Sequence, residues 1–508
     1  MDTITIAKKN DVFLWVSCER GISQELSSYF SFFVPNYRFH PSFKAKLWDG
    51  KIRLFNLQKS ELYVGLLHYL KIFAEKYGYR LEIENGLEVD EDISLETISD
   101  YVRKTLQPRV KGKPITPREY QLYAIHHAIR ERRTLLLSPT SSGKSLIIYS
   151  ILRWYQQILG PSEKMLIIVP TTNLVEQMNS DFGDYSSHDP TWNSDDNIHL
   201  IYSGKEKRTS KQIVISTWQS LYKLPTSMFL KYRVVVGDEC HLFKAKSLTT
   251  LLTKFTECPY RIGTTGTLDG TQTHKLVLEG LFGKINTVTT SKELMDKKYI
   301  SSLNIKCLVL KYDDELRQLM KRAKYQQEID FLVENKDRNT FIKNLIVTLE
   351  GNSLLLFNYI DKHGKKLFEM IKNSKHAKGK HIYFVSGEVK TEQREKVRHL
   401  AEKHDNAIIL ASVGVLSTGT NIKNLQNLIF AHPSKGKIRN LQSIGRVLRL
   451  DDKENKATLY DIADDLSWKK HQNFALKHFL IRLKLYNQQQ FDYKTYEIEV
   501  GNEKQKMS

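Results

Sequence analysis

The sequence has little cysteine. Cys18, Cys240, Cys258 and Cys307 are spread too widely for a C-x-x-C pair or any familiar zinc spacing. That excludes a disulfide framework or a cysteine metal knot as the basis of the fold, and it reads as reduced thiols in an intracellular protein. Also missing is any apolar run near the roughly 18 residues needed to span a bilayer. The opening stretch, MDTITIAKKNDVFLWV, has no basic segment followed by a long apolar core. A soluble, cytoplasmic protein is expected. No internal repeat or low-complexity block is present, which excludes a solenoid.

Acidic residues are in deficit too. There are 57 Asp and Glu against 77 Lys and Arg, a formal charge of +20 and a pI near 9.4, a bias expected of proteins that hold polyanions. A basic surface kept for solubility would look the same, so the motifs decide. With 508 residues the chain exceeds one hydrophobic core and suits three or four units. Residues 1–100, with short alternating apolar runs and aromatic-rich stretches, are expected to form an N-terminal α+β domain. QPRVKGKPITPRE then has the proline and basic character of a linker, placing a boundary near Lys113.

Beyond it, short apolar runs recur between helix-like segments, at 135–137, 166–169, 213–215 and 234–236. Such runs suit buried parallel strands joined by crossover helices. The rhythm returns at 354–357, 382–385, 408–411 and 428–430, so two comparable α/β lobes are expected, over 113–290 and 291–465. In the C-terminal extension, 466–508, Leu476, Phe479, Leu480 and Leu483 predict an amphipathic helix packed on the second lobe.

The sharpest local signal is Ser138-Pro-Thr-Ser-Ser-Gly-Lys-Ser145, set between an expected strand and an expected helix. Such a turn points backbone N–H groups and the positive end of a helix dipole at a phosphate chain. Thr140, Ser141, Ser142 and Gly143 would cradle the phosphates of ATP, Lys144 would neutralise them, and Ser145 would ligate Mg²⁺. Ser138 stands where the usual pattern has its first glycine. A serine-rich turn that merely caps a helix is the competing reading, and the strand-loop-helix context weighs against it. Further on, Tyr232-Arg-Val-Val-Val-Gly-Asp-Glu-Cys-His241 ends an apolar strand on two carboxylates. Ligands bind outside the C-terminal strand ends of a parallel sheet, which would set these carboxylates beside the loop. Asp238 can then hold the Mg²⁺, and Glu239 can orient and deprotonate the attacking water. Alone, the pair would read as a helix cap. In the second lobe Gln442, Arg446 and Arg449 recur about one helical turn apart and share a face. Guanidinium groups brought onto a γ-phosphate are worth roughly 10³ to 10⁵ in rate in other phosphoryl-transfer systems.

Together these residues resemble superfamily 2 helicases, in the same order of elements across residues 115–465, and Asp238-Glu-Cys-His241 is a four-residue box specific to that superfamily. The resemblance implies that Gln121, beside Arg118 and Tyr120, contacts adenine, that Gly419 meets the nucleotide, and that Thr265 and Thr267 couple the sites. It implies a strand grip by Pro170, Thr171 and Thr172 and by Ser216, Thr217 and Trp218. From the second lobe it adds Asn358, Ser386, Gly387, Ser417 and Thr418, with Asn421 replacing an acidic residue common there. The chain also resembles bacteriophage UvsW-type helicases. That likeness is carried by Pro-Thr-Ser-Ser-Gly-Lys-Ser, Val385-Ser-Gly-Glu388, Ser412-Val-Gly-Val-Leu-Ser-Thr-Gly419, Ile444-Gly-Arg-Val-Leu-Arg449, Tyr37-Arg-Phe-His-Pro41 and Trp48-Asp-Gly50. It implies a DNA helicase that migrates Holliday junctions, regresses stalled forks and dissociates RNA from R-loops, with 3′ to 5′ movement. Its implied partners are branched or forked DNA, an RNA–DNA hybrid and phage recombination and replication proteins, in the host cytoplasm.

Near the N-terminus, Tyr37, Phe39, Phe43 and Trp48 interleave with Arg38, Lys44, Lys46, Lys51 and Arg53, a mixture able to stack bases and bind phosphates. Aromatics in a small sheet more often form core, and Asp49-Gly50 suits a hairpin turn. The aromatics are therefore assigned to packing, and Lys44, Lys46, Lys51 and Arg53 to duplex contact. The expected architecture is α/β: two RecA-like P-loop lobes forming an ATP cleft, an N-terminal α+β domain and a short helical C-terminal extension. A duplex translocase without strand separation and an RNA helicase would share this motor. A non-catalytic architectural DNA-binding protein would explain the charge but leave Lys144, Asp238, Glu239 and Arg449 without a purpose.

Overall fold

The computed structural model describes residues 2–87, 92–202, 204–242, 245–266, 268, 272–300, 302–387, 400, 403–413, 425–432 and 457–501. The chain divides into two compact units, Met1–Thr289 and Thr290–Ser508.

In the first unit the strand Lys164–Val169 shows why its sequence reads as an unbroken apolar run. Successive side chains of a strand point to opposite faces. Met165, Ile167 and Val169 enter one apolar cluster while Leu166 and Ile168 enter another, and all five are fully buried. With both faces covered, no position is free to be polar. Each such side chain contributes about 1.5–3 kcal/mol on burial. Among the described residues the sheet has seven strands, all parallel, in the spatial order Ile198–Ile201, Ile213–Thr217, Lys164–Val169, Tyr232–Gly237, Tyr260–Thr265, Arg133–Leu137 and Ile285–Thr287. Helices Glu119–Glu131, Lys144–Ile158 and Thr172–Tyr185 cover one face, and helix Gln272–Phe282 lies on the other.

That other face is shared with an N-terminal five-stranded sheet, ordered Phe55–Asn56, Glu61–Tyr63, Phe13–Ser17, Thr3–Lys8 and Arg80–Ile83. Ile4, Ile6, Leu14, Val16 and Leu62 join Leu26, Leu70 and Phe73 in the same cluster as Leu276, Leu281 and Phe282. The joint brings backbones close. Gly65 lies against the carbonyl of Glu279, where any Cβ would overlap it, and Gly280 lies against the ring of Tyr63. Tyr69 donates to the buried Glu279 carboxylate at 2.9 Å, and the amide of Ile285 donates to it at 3.3 Å. The segment before the linker folds as helix Leu95–Asp100 and a further helical stretch Tyr101–Leu106. Its Ile98, Val102 and Leu106 enter the first lobe's core beside Leu122 and Ile125, so the N-terminal sheet ends with Arg80–Ile83.

The second unit, among its described residues, holds another seven-stranded parallel sheet. Its order is His381–Val385, Ala407–Ser412, Ser353–Phe357, Asn427–Phe430, Ala457–Asp465, Leu303–Lys311 and Tyr493–Glu499. Counting strands along the chain from Arg133–Leu137 and from Leu303–Lys311, both sheets run 3-4-2-5-6-1-7. The same topology occurs twice, as in tandem RecA-like lobes. Among the described residues no helix is long and apolar enough to cross a membrane.

The C-terminal extension contains the expected helix, Phe474–Gln488, but the buried face differs from the expected one. Ala475, His478, Phe479, Arg482, Leu485 and Tyr486 are buried, while Leu480 is exposed. Arg482 explains the rotation: its guanidinium meets Asp461 at 2.8–3.0 Å, and Tyr486 donates to the same carboxylate at 2.8 Å. Apolar spacing does not register a buried ion pair. After the helix, Tyr493–Glu499 adds an edge strand parallel to Leu303–Lys311, an element not anticipated from sequence. Arg482→Ala leaves Asp461 buried without its cation and is expected to cost about 3–5 kcal/mol in denaturant unfolding. Leu480→Ala should stay within about 0.5 kcal/mol. Equal losses would contradict this burial.

Candidate functional site

The strands of a parallel sheet all end on one edge, where such sheets bind ligands. Across the first lobe that edge presents residues 217–218, 170–171, 238–239, 265–266 and 138–143, in that spatial order. Neighbouring strands stand about 4.8 Å apart, so the last three groups fall within about 10 Å of one another.

The loop at 138–143 is set by its small residues. Gly143 has φ +81° at the start of helix Lys144–Ile158, and a Cβ there would overlap the amide nitrogen of Gln121. Ser141 also takes a left-handed φ, +69°. Ser138, which stands where the usual pattern has its first glycine, cross-braces the loop with Ser142. Ser138 Oγ and Ser142 Oγ lie 2.6 Å apart, and Ser142 donates to the carbonyl of Pro139 at 2.7 Å. Gln121 ties the loop from outside, donating to the Ser142 carbonyl at 2.9 Å while its own oxygen accepts the Arg118 amide at 2.9 Å; Tyr120 donates to the same carbonyl at 2.8 Å. Both ends of the Gln121 side chain are thus engaged within the lobe. Ser145 Oγ shares a hydrogen bond with Tyr185 OH at 2.8 Å. The first turn of the helix has backbone N–H groups with no partner inside it.

Lys144 leads from this loop to the acidic pair. Its ammonium lies 3.3 Å from Glu239 Oε1 and donates to the carbonyls of Ser138 and Pro139 at 3.3 and 3.5 Å. Asp238 follows strand Tyr232–Gly237, is buried, and accepts from Thr264 Oγ1 at 2.6 Å. Burial, and then the adjacent Glu239, push its carboxyl up to about 6. Burial also pushes on Glu239, but Lys144 and His241 outweigh it and hold that carboxyl below its usual range. Glu239 has φ +50°, a left-handed conformation costing a non-glycine residue about 1–2 kcal/mol. Its Oε2 is buried, 3.4 Å from His241 Nδ1, with no hydrogen-bond donor among the described residues. His241 Nδ1 in turn lies 2.6 Å from Thr265 Oγ1. Thr264, Tyr185 and the serine brace were not foreseen from sequence. Thr264 sits just before Thr265-Gly266, the one signal that could have pointed to it.

The residues expected to grip a strand lie on the other side of the edge. Thr171 precedes helix Thr172–Tyr185, and its buried Oγ1 has no partner among the described residues; Thr172 is exposed and Pro170 is buried. Gln219 donates to the Pro170 carbonyl at 3.4 Å and so ties two neighbouring strand ends together. Thr217 Oγ1 lies 3.0 Å from Ser220 Oγ, and Trp218 is half-buried. Ser216 is fully buried, and its hydroxyl is turned inward to the Ile201 carbonyl at 2.9 Å. In the second lobe Asn358 and Gly387 are exposed just past their strands, and Ser386 is buried. Thr267, Ser417, Thr418, Gly419, Asn421, Gln442, Arg446 and Arg449 lie outside the described residues. In the N-terminal domain Lys44 and Lys46 lie in and beside a short helix, Pro41–Lys44, while Lys51 and Arg53 lie on a strand.

A twice-repeated RecA-like sheet, with a lysine-bearing loop and an Asp-Glu-Cys-His box at the edge of the first copy, defines a superfamily 2 helicase. Three family descriptions match the chain: "DNA helicase UvsW, N-terminal" over residues 4–84, "Type III restriction enzyme, res subunit" over 114–270, and "Helicase conserved C-terminal domain" over 337–451. The chain belongs to the UvsW helicase family: it is 34% identical over 495 residues to the ATP-dependent DNA helicase uvsW of Enterobacteria phage T4, covering 94% of this chain and 96% of that one. The crystal structure of T4 UvsW matches at a TM-score of 0.53 and 33% identity, covering 98% of this chain and all of that one. The DNA 3'-5' translocase XPB2 of Sulfurisphaera tokodaii is 22% identical over 410 residues, covering 73% of this chain and 85% of that one.

The tether through Gln121 makes a prediction. Gln121→Ala frees the loop, so binding of adenosine and guanosine nucleotides should weaken together in a fluorescence titration, by about ten-fold for the loss of a buried hydrogen-bonding side chain. A loss confined to adenine nucleotides would show that base reading outweighs loop support.

Proposed function

We propose that the protein is an ATP-dependent DNA helicase that remodels branched DNA by migrating Holliday junctions, regressing stalled forks and dissociating RNA from R-loops. One observation carries the motor: Lys144, Asp238 and Glu239 converge at one sheet edge, with an oxygen of Glu239 left without a donor. Lys144 binds the β- and γ-phosphates of ATP in exchange for Glu239, and the loop residues Thr140, Ser141, Ser142 and Gly143 wrap the chain. Glu239, once freed from Lys144, orients the attacking water and takes its proton. Gln121 and Gly419 border the base and the nucleotide, and Gln442, Arg446 and Arg449 come from the second lobe. Two adjacent carboxylates facing one ammonium leave an excess of negative charge that suits Mg²⁺, held by Asp238 and Ser145. When bound, Mg²⁺ neutralises charge building on the transferring phosphoryl oxygens.

DNA as the track rests on the phage relative, which is named an ATP-dependent DNA helicase. Pro170, Thr171, Thr172, Thr217 and Trp218 on the first lobe, with Asn358, Ser386, Gly387, Ser417 and Thr418 on the second, grip the strand through its phosphates. Lys44, Lys46, Lys51 and Arg53 hold the duplex arms. Phosphate contacts carry no sequence information and release counterions, so binding is sequence-tolerant and salt-sensitive. The host cytoplasm is the compartment such a phage enzyme would work in, with phage recombination and replication proteins as its neighbours. A second reading, translocation on duplex without strand separation, is favoured by the relative named a DNA 3'-5' translocase; unwinding of forks against movement on blunt duplex separates the two.

Lys144→Ala should abolish DNA-stimulated ATP hydrolysis. Glu239→Gln should keep ATP bound while turnover falls roughly 10²- to 10⁴-fold, and Arg449→Ala should slow hydrolysis more than binding. ATPase rates with single-stranded DNA, duplex, a four-way junction, an R-loop and RNA, measured side by side, check both track and site. Wild-type rates in all three variants would remove the assigned site, and stimulation by RNA alone would remove the DNA assignment.

A further inference from the structure

The N-terminal domain carries a basic arm whose aromatics divide into two kinds. Strands Ser31–Phe33 and Lys51–Arg53 pair antiparallel, and the chain between them forms two short helical turns, Tyr37–Phe39 and Pro41–Lys44. Most of the arm's rings pack on each other. Phe33 stacks on Tyr37 at 4.6 Å, Tyr37 meets Phe43 edge-on at 4.8 Å, and Trp48 meets His40 at 5.2 Å while donating to the Lys51 carbonyl at 2.8 Å. Phe39 does not join them. It is 74% exposed and meets no other ring among the described residues, and Leu47 is 83% exposed. The sequence-based assignment of the aromatics to packing therefore fits Tyr37, Phe43 and Trp48 but not Phe39, which is largely exposed and outside these ring contacts.

We infer that Phe39 and Leu47 form an apolar tip that meets the unpaired bases at the branch point of the DNA substrate, a role that rests on the branched-DNA reading above. A single exposed apolar side chain is ordinary on a protein surface. Two large ones on a short arm are set apart by their surroundings. Arg38, Lys44, Lys46 and Lys51 flank them, and Asp49, the arm's one carboxylate, is already paired with Arg53. Such a surface complements a polyanion that also exposes apolar faces. Within a duplex those faces are covered by stacking, and they become available where pairing is broken, at a branch or a single-stranded end. The arm is also anchored: Phe32 packs into the core shared with helix Gln272–Phe282 of the first lobe, so the tip is mounted on the ATP-binding unit.

Both residues are exposed, so their removal leaves the fold intact. The test uses the full chain, wild type and Phe39→Ala/Leu47→Ala, on a forked DNA with 2-aminopurine at the branch and on linear single-stranded DNA. The double variant should unwind the fork about ten-fold more slowly, the scale of one lost base–aromatic stack. It should also lose the 2-aminopurine response while its ATPase on linear DNA stays within about two-fold, and Phe39→Trp should restore both fork signals. Fork unwinding at the wild-type rate would overturn the inference, as would an equal loss of unwinding and of linear-strand ATPase, which would make the arm a general strand binder. Phe39-dependent binding to phosphatidylserine vesicles would overturn it in favour of a membrane contact. A wild-type protein that unwinds no substrate would instead strike the branched-DNA reading itself.

Discussion

The first lobe is organised around the need to neutralise one nearly buried ammonium. Lys144 has little contact with water, and at 3.3 Å from Glu239 the attraction is about 5 kcal/mol at an effective dielectric of about 20. Much of that is offset by the cost of desolvating both groups. The balance is what matters: a polyphosphate offers Lys144 more negative charge than one carboxylate, so it can displace Glu239 without leaving either group stranded. In the proposed reaction the exchange arms the base, because the carboxylate that leaves Lys144 is the one required by water. The serine brace, the Gln121 tether and the left-handed Gly143 keep the loop where this exchange can occur.

The second lobe repeats the topology and fills the corresponding place. In the first sheet the phosphate loop, the acidic pair and Thr265 follow strands one, five and six. In the second sheet the ends of the same three strands are closed by a buried network. Arg338, from the helix Lys336–Thr348 that precedes strand two as Lys144–Ile158 does in the first lobe, bonds Asp464 at 2.8 and 3.1 Å and the Ala431 carbonyl at 2.7 Å. Tyr312 donates to Asp464 at 2.8 Å. Where the first lobe leaves a lysine and a carboxylate open to exchange, the second pairs an arginine bidentately with an aspartate and seals it from solvent. One fold thus holds two ion pairs at matching places, and they differ in burial: Lys144–Glu239 keeps some exposure, whereas Arg338–Asp464 has none.

How much of this was legible in the sequence follows from what each feature depends on. Strands such as Lys164–Val169 were readable because two covered faces force every residue to be apolar. The convergence of Lys144, Asp238 and Glu239 was readable because strand ends fix their place at one edge of a parallel sheet. The inward turns of Ser216 and Arg482 were not, since a hydroxyl or a guanidinium turned inward looks the same in sequence as one facing a ligand or water, and only the tertiary partner decides. Tyr493–Glu499 escaped for a related reason: an edge strand with mostly exposed side chains carries no apolar run, and its place beside Leu303–Lys311 depends on a partner far away in the chain. Phe39 was hidden among neighbours that do pack.

The way the N-terminal domain is mounted links these observations. Thr265 touches His241 of the acidic box, and Gly266 lies against the loop at 138–143. The next helix, Gln272–Phe282, meets the N-terminal domain backbone to backbone at Gly65 and Gly280 and through the buried Glu279. Packed interfaces of this kind do not deform continuously; they move as a body or not at all. An N-terminal domain held this way is one body with the first lobe, so in the proposed cycle a displacement of that lobe would carry the basic arm with it. A flexible tether would have spent the same displacement in its own slack, which gives a physical reason for two small residues and a buried carboxylate at a joint far from the chemistry.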